Sequence, residues 1–63
     1  MTAREAVDGA LYDLPRRGQR PAYTRAEYHG WNATKEFLLF FVRDDRGKRM
    51  GIVVMPDEQI KPV

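Results

Sequence analysis

The sequence predicts an α+β domain, with one N-terminal helix packed on a three-stranded antiparallel sheet. Three observations predict it. Residues 2–14 carry apolar side chains at helical spacing and end at Pro15. Two runs rich in aromatic and β-branched residues follow, separated by a short charged turn containing glycine. At 63 residues the chain has room for one domain and one core.

The elements follow in order. Thr2 with Glu5 three residues later is a capping box. Ala6, Val7, Ala10, Leu11 and Leu14 then form one apolar stripe at 3–4 residue spacing, so a helix is expected over 2–14. Pro15 stops it, and Gly9 weakens it by about 1 kcal/mol of propensity. Residues 15–19 read as a loop. The first strand is expected over 21–29, where Tyr23, Thr24 and Tyr28 favour extended backbone. A second is expected over 36–43 and a third over 48–55, joined by the hairpin turn Asp44-Asp45-Arg46-Gly47. The polar tail 57–63, flanked by prolines, is expected to fray.

The central strand carries the main functional signal. A half-buried strand alternates polar and apolar residues. Here Leu38, Phe40 and Val42 share one face while Phe37, Leu39 and Phe41 share the other, so both faces are apolar. Ile52, Val53, Val54 and Met55 repeat the pattern next door. One helix covers one face. The second face therefore points to association, as a homo-oligomer (a dimer) or with a protein partner, through Trp31, Phe37, Leu39, Phe41, Val53 and Met55. Trp31 is either an aromatic closing the core or an exposed anchor.

Composition narrows the class. Hydrophobic residues make up 43% and charged residues 32%, which is a folded composition. With no cysteine, neither disulfides nor thiolate zinc sites can form. The first residues lack the apolar run of a signal peptide, and the longest apolar run, 37–42, falls far short of the roughly 20 residues that span a bilayer. A soluble cytoplasmic setting, bacterial or phage-like, is expected, with no membrane partner. Asn32-Ala33-Thr34 matches a glycosylation sequon, read as coincidental without a secretory signal.

The net charge of +2 is unevenly spread. Residues 15–49 carry nine basic side chains against four acidic ones, while both flanks are net negative. Arg16, Arg17, Arg20, Arg25, Arg46, Lys48 and Arg49 are the candidates for contacts with an anionic partner such as nucleic acid.

Catalysis has little to stand on. The chain has one histidine, His29, and neither serine nor cysteine, so a nucleophile–base pair would need a threonine beside His29. Asp44 and Asp45 sit beside Arg43 and Arg46 in a turn and read as solvated charges, not a metal site. No glycine-rich phosphate loop opens a helix. No catalytic residue, cofactor or metal is expected.

Pro21, Tyr23, Gly30 and Phe37 stand in a spacing that resembles double-stranded RNA-binding domains, with Gly18 after a helix before them and Gly47 and Gly51 after them. The resemblance covers residues 3–52 and implies a helix, a three-stranded meander and a second helix. It departs at the contact regions. Trp31 stands where that family has a proline, Ala33 where it has a groove-reading histidine, and Pro56-Asp57-Glu58 where its second helix opens on lysines. Such domains read shape across about 16 base pairs, so the resemblance implies the fold more than the activity. Gly30-Trp31-Asn32 after a strand also resembles small phage proteins that sequester nucleotide signals of bacterial immunity, which implies a site built from Trp31 and an arginine.

The leading expectation is a non-catalytic interaction module that works through its apolar sheet face. Nucleic-acid binding through segments 16–25 and 43–49 is the alternative, and nucleotide sequestration the second.

Overall fold

The computed structural model describes residues 1–32, 34, 36–43 and 45–63. Five antiparallel strands form one sheet: β1 (Leu11–Pro15), β2 (Tyr23–Tyr28), β3 (Leu38–Arg43), β4 (Arg49–Val54) and β5 (Lys61–Pro62). The order across the sheet is β4-β3-β2-β1-β5, a four-stranded meander whose first strand accepts the last at its free side. Short 3-10 turns at Ala3–Glu5 and Gly30–Asn32 complete the described structure, which contains no α-helix. No helix is long and apolar enough to cross a membrane among the described residues.

The expected α+β class is therefore corrected to an all-β one. The helical start signal is real but short. Glu5 accepts hydrogen bonds from the Thr2 backbone N–H (3.2 Å) and hydroxyl (3.0 Å). Those two bonds, the backbone one first, hold the Glu5 carboxyl below its usual value. The turn ends after Glu5, and the chain reverses through Val7–Ala10. The Ala10 N–H donates to the Val7 carbonyl (3.1 Å), with Gly9 at φ 81° as its third residue. That is the place where a type II turn requires a positive φ, and glycine meets it without strain.

Leu11-Tyr12-Asp13-Leu14 then satisfies period 2 better than period 3.6. Tyr12 and Leu14 are buried on one side, and Leu11, from the expected helical stripe, is 48% exposed on the other. Val7 is 63% exposed. The stripe was a coincidence of the two periods over a short segment, and pairing with β2 in the register Leu11↔Glu27 to Pro15↔Tyr23 decided between them.

β2, β3 and β4 lie within the segments 21–29, 36–43 and 48–55. The turn between β3 and β4 is described at 45–48; Asp44 lies outside the described residues, as does Ala33 of the sequon and of the RNA-binding comparison.

The tail, expected to fray, is paired in the structure. The connection 55–60 carries the chain from β4 at one edge of the sheet to β5 at the other, passing over the core face. There it pairs with the N-terminal segment. The Ala3 N–H donates to Glu58 O (2.8 Å), the Arg4 N–H to Pro56 O (2.9 Å) and the Ile60 N–H to Met1 O (2.8 Å). Thr2 and Gln59 form a bridge between them. These two chain ends supply the cover that a helix was expected to give.

Between sheet and cover lies the core: Ala3, Tyr12, Leu14, Ala26, Tyr28, Leu38, Phe40, Val54 and Ile60. Phe40 is its centre, fully buried, with the Tyr28 ring 5.1 Å away and the Tyr12 ring edge-on at 6.1 Å. Burying a side chain of that size contributes roughly 1.5–3 kcal/mol. The Tyr12 hydroxyl accepts the Val7 N–H at 2.7 Å, so the ring that fills the core also holds the N-terminal turn in place.

Candidate interaction face

Alternation along β3 and β4 divides their apolar residues. Leu38, Phe40 and Val54 are buried in the core. Leu39 and Phe41, half-buried, and Val53, 59% exposed, occupy the opposite, outer face. Register aligns this outer face in rows. Leu39 lies beside Val53, Phe41 lies between Gly51 and Glu27, and Arg43 lies opposite Arg49. From β2 to β5 the outer face continues with Arg25 beside Asp13 and Asp13 beside Lys61.

The outer face is polarised along the strands. In a meander, the β1–β2 and β3–β4 connections share one end and the β2–β3 connection takes the other. Arg16, Arg17 and Arg20 are in the first connection and Arg46 and Lys48 in the second, so both basic segments of the sequence converge at one end of the sheet. The row Arg49–Arg43, with Arg25 and Lys61 further across, adjoins that end. Only Asp13 interrupts it, 3.4 Å from the Arg25 Nε. Arg16 reaches Thr24 Oγ1 at 3.0 Å. The opposite end holds Leu39, Val53 and Met55 (43% exposed), with Trp31, 75% exposed, in the β2–β3 connection. Trp31 is thus an exposed aromatic and not part of the core. Phe37 stands apart, half-buried in a turn whose N–H groups at 36 and 37 are accepted by Thr34 Oγ1.

One cluster joins the two ends. The Arg49 guanidinium lies over the Phe41 ring, 4.6 Å from its centroid. Its Nη2 is 3.0 Å from His29 Nε2, and the His29 ring meets Phe41 edge-on at 4.9 Å. Glu27 Oε1 is 3.7 Å from the same His29 nitrogen. His29 was read only as a weak candidate base. Among the described residues its neighbours are an arginine, a carboxylate and an aromatic ring. Gly51 faces Phe41 across the ladder, and a Cβ there would come within 3.2 Å of Leu39 Cδ1. The absent side chain lets Leu39 and Phe41 lean across β4 and stay half-buried on an otherwise uncovered face.

Tyr12, Glu27 and Lys61 are parts of this architecture that the sequence did not single out. Period 2 over 11–14 was the signal for Tyr12; Lys61 had none, because its strand exists only by pairing with β1. Among the described residues no group of three or more His, Asp or Glu side chains converges as a metal site. No known family model, curated protein or solved structure matches the chain.

Proposed function

We propose that this chain is a non-catalytic interaction module whose binding surface is the outer face of the sheet, and that it self-associates or docks a protein partner there. One observation carries the reading. Leu39, Phe41 and Val53 lie side by side on a face that nothing among the described residues covers, at the end of the sheet that also holds exposed Met55 and the connection carrying exposed Trp31. Scattered exposed apolar residues are ordinary, whereas a contiguous set rimmed by charge marks an association site. The Arg49–Phe41 stack supports the same reading, since arginine and aromatic side chains are enriched at the anchoring centres of interfaces.

The test is light scattering over a range of concentrations together with binding of an apolar dye. The wild-type chain is expected to associate, or to bind the dye as a monomer, and Val53→Asp to reduce dye binding without loss of fold. A folded monomer at high concentration that binds no dye removes the reading.

A second reading is favoured by the basic end. Arg43, Arg49, Arg25 and Lys61 on the face, with the arginines of the β1–β2 connection, suit a polyanion such as nucleic acid. It predicts affinity that falls steeply with salt, in proportion to the phosphates neutralised. Binding unchanged between low and moderate salt would exclude it.

A further inference from the structure

The two edges of the sheet are finished differently. β5 is two residues long and contains Pro62, which blunts it. β4 is six residues long and holds an unbroken register with β3 from Leu38↔Val54 to Arg43↔Arg49, with neither proline nor bulge. It is the terminal strand of the sheet.

The hydrogen-bonding phase of that edge follows from one bond. The His29 N–H donates to the Leu39 carbonyl, so Leu39 directs its backbone groups toward β2. In an antiparallel ladder the direction alternates residue by residue. Phe41 and Arg43 therefore also face β2, while Leu38, Phe40 and Val42 face β4. Their partners Val54, Ile52 and Met50 face inward. The N–H and C=O groups of Arg49, Gly51 and Val53 point away from β3, along the outer edge of β4, and no other described strand pairs with them.

From this phase and register we infer that β4 is the site of a two-fold, antiparallel pairing with a second copy of this chain, centred on Gly51. The inference rests on the self-association arm of the function proposed above and adds the β4 edge to it as the seam between copies.

Self-complementarity singles out this occupant. A two-fold at Gly51 sets Gly51 against Gly51 of the copy, Arg49 against Val53 and Val53 against Arg49. All three outward-facing residues thus meet outward-facing residues, as a reciprocal ladder requires. No two like charges stand opposite each other, although Arg43 and Arg49 already do so within one chain. On the core side Met50, 53% exposed, meets the half-buried Ile52 of the copy and covers the rim of the core. The antiparallel sense also places the basic end of one sheet beside the apolar end of the other, keeping the two basic ends apart. Gly51 at the axis offers no side chain to crowd the join.

The test uses the whole chain. Light scattering is expected to show a dimer, and amide exchange to show the N–H groups of Arg49, Gly51 and Val53 protected at high concentration and released on dilution. Charge at position 53 supplies a second arm. Val53→Asp places a carboxylate opposite Arg49 of the copy and is expected to hold the dimer more tightly than Val53→Arg does. Val53→Arg places like charges there twice across the two-fold and is expected to weaken it about tenfold. A dimer in which both substitutions weaken association equally, with those three amides unprotected, overturns edge pairing and leaves association through the outer face standing. A monomer at every concentration also overturns edge pairing; if it binds an apolar dye, the outer-face reading survives it.

Discussion

Arg49 lies over the ring of Phe41, its guanidinium carbon 4.6 Å from the centroid, where the basic and apolar ends of the outer face meet. The same guanidinium reaches His29 Nε2 at 3.0 Å. An exposed cation over an aromatic ring is worth about 0.5–1 kcal/mol. Arg49→Ala is expected to lower the urea unfolding free energy by about that amount. Arg49→Lys is expected to recover only part of it, because an ammonium lacks the planar fork that stacks on Phe41 while reaching His29. Equal stability of wild type and Arg49→Ala would sink this account.

Ile60 is fully buried, although the segment around it is polar and reads as a frayed tail. Ile60→Ala is expected to cost about 2–5 kcal/mol. A core of this size supplies roughly 3–5 kcal/mol in all, so the variant is expected to be largely unfolded at 25 °C by circular dichroism and proton NMR. Lys61→Ala, on the exposed strand beside it, is expected to stay folded. A folded Ile60→Ala variant of near wild-type stability would mean the tail does not close the core.

The Tyr12 hydroxyl accepts the Val7 N–H at 2.7 Å. Tyr12→Phe keeps the ring against Phe40 and removes that acceptor. The expected loss is about 1 kcal/mol, with amide exchange at Val7 accelerated and exchange in β3 little changed. If Val7 exchanges at the wild-type rate, the bond does not hold the turn.

Burial pushes the Tyr28 hydroxyl above its ordinary value of 10.0, and Asp8 and Tyr12 push the same way. The folded chain thus holds this proton more tightly than the unfolded one. The contribution of Tyr28 is fully present below the unfolded value and is lost as pH rises through the folded one. Urea midpoints are expected to fall above about pH 10, and Tyr28→Phe to flatten that fall. A wild-type profile that is flat through this range contradicts it.

Much of the sheet is legible in the sequence. The runs that became β2, β3 and β4 are rich in aromatic and branched residues, and a glycine-containing turn separates the last two. The two-sided apolar character of β3 was also plain, because period 2 sends Leu39 and Phe41 to one side and Leu38 and Phe40 to the other. The candidate site was legible residue by residue but not as an arrangement. Arg16 and Arg46 are 30 positions apart in sequence, and only the meander brings their connections to one end of the sheet.

By itself, the sequence determined that Tyr23–Tyr28, Leu38–Arg43 and Arg49–Val54 extend and that the chain turns between the last two, since those are local properties of side chains and glycines. It also determined that a chain without cysteine carries apolar side chains on both sides of its central strand. Tertiary structure decided the rest. Residues 11–14 satisfy a helical and a strand period alike, and only the partner strand β2, which buries Tyr12 and Leu14 together, makes the strand the lower-energy choice. The tail carries no local signal because its pairing with β1 and with the N-terminal turn joins residues some 50 to 60 positions apart. Such contacts are stable only once the sheet exists to receive them.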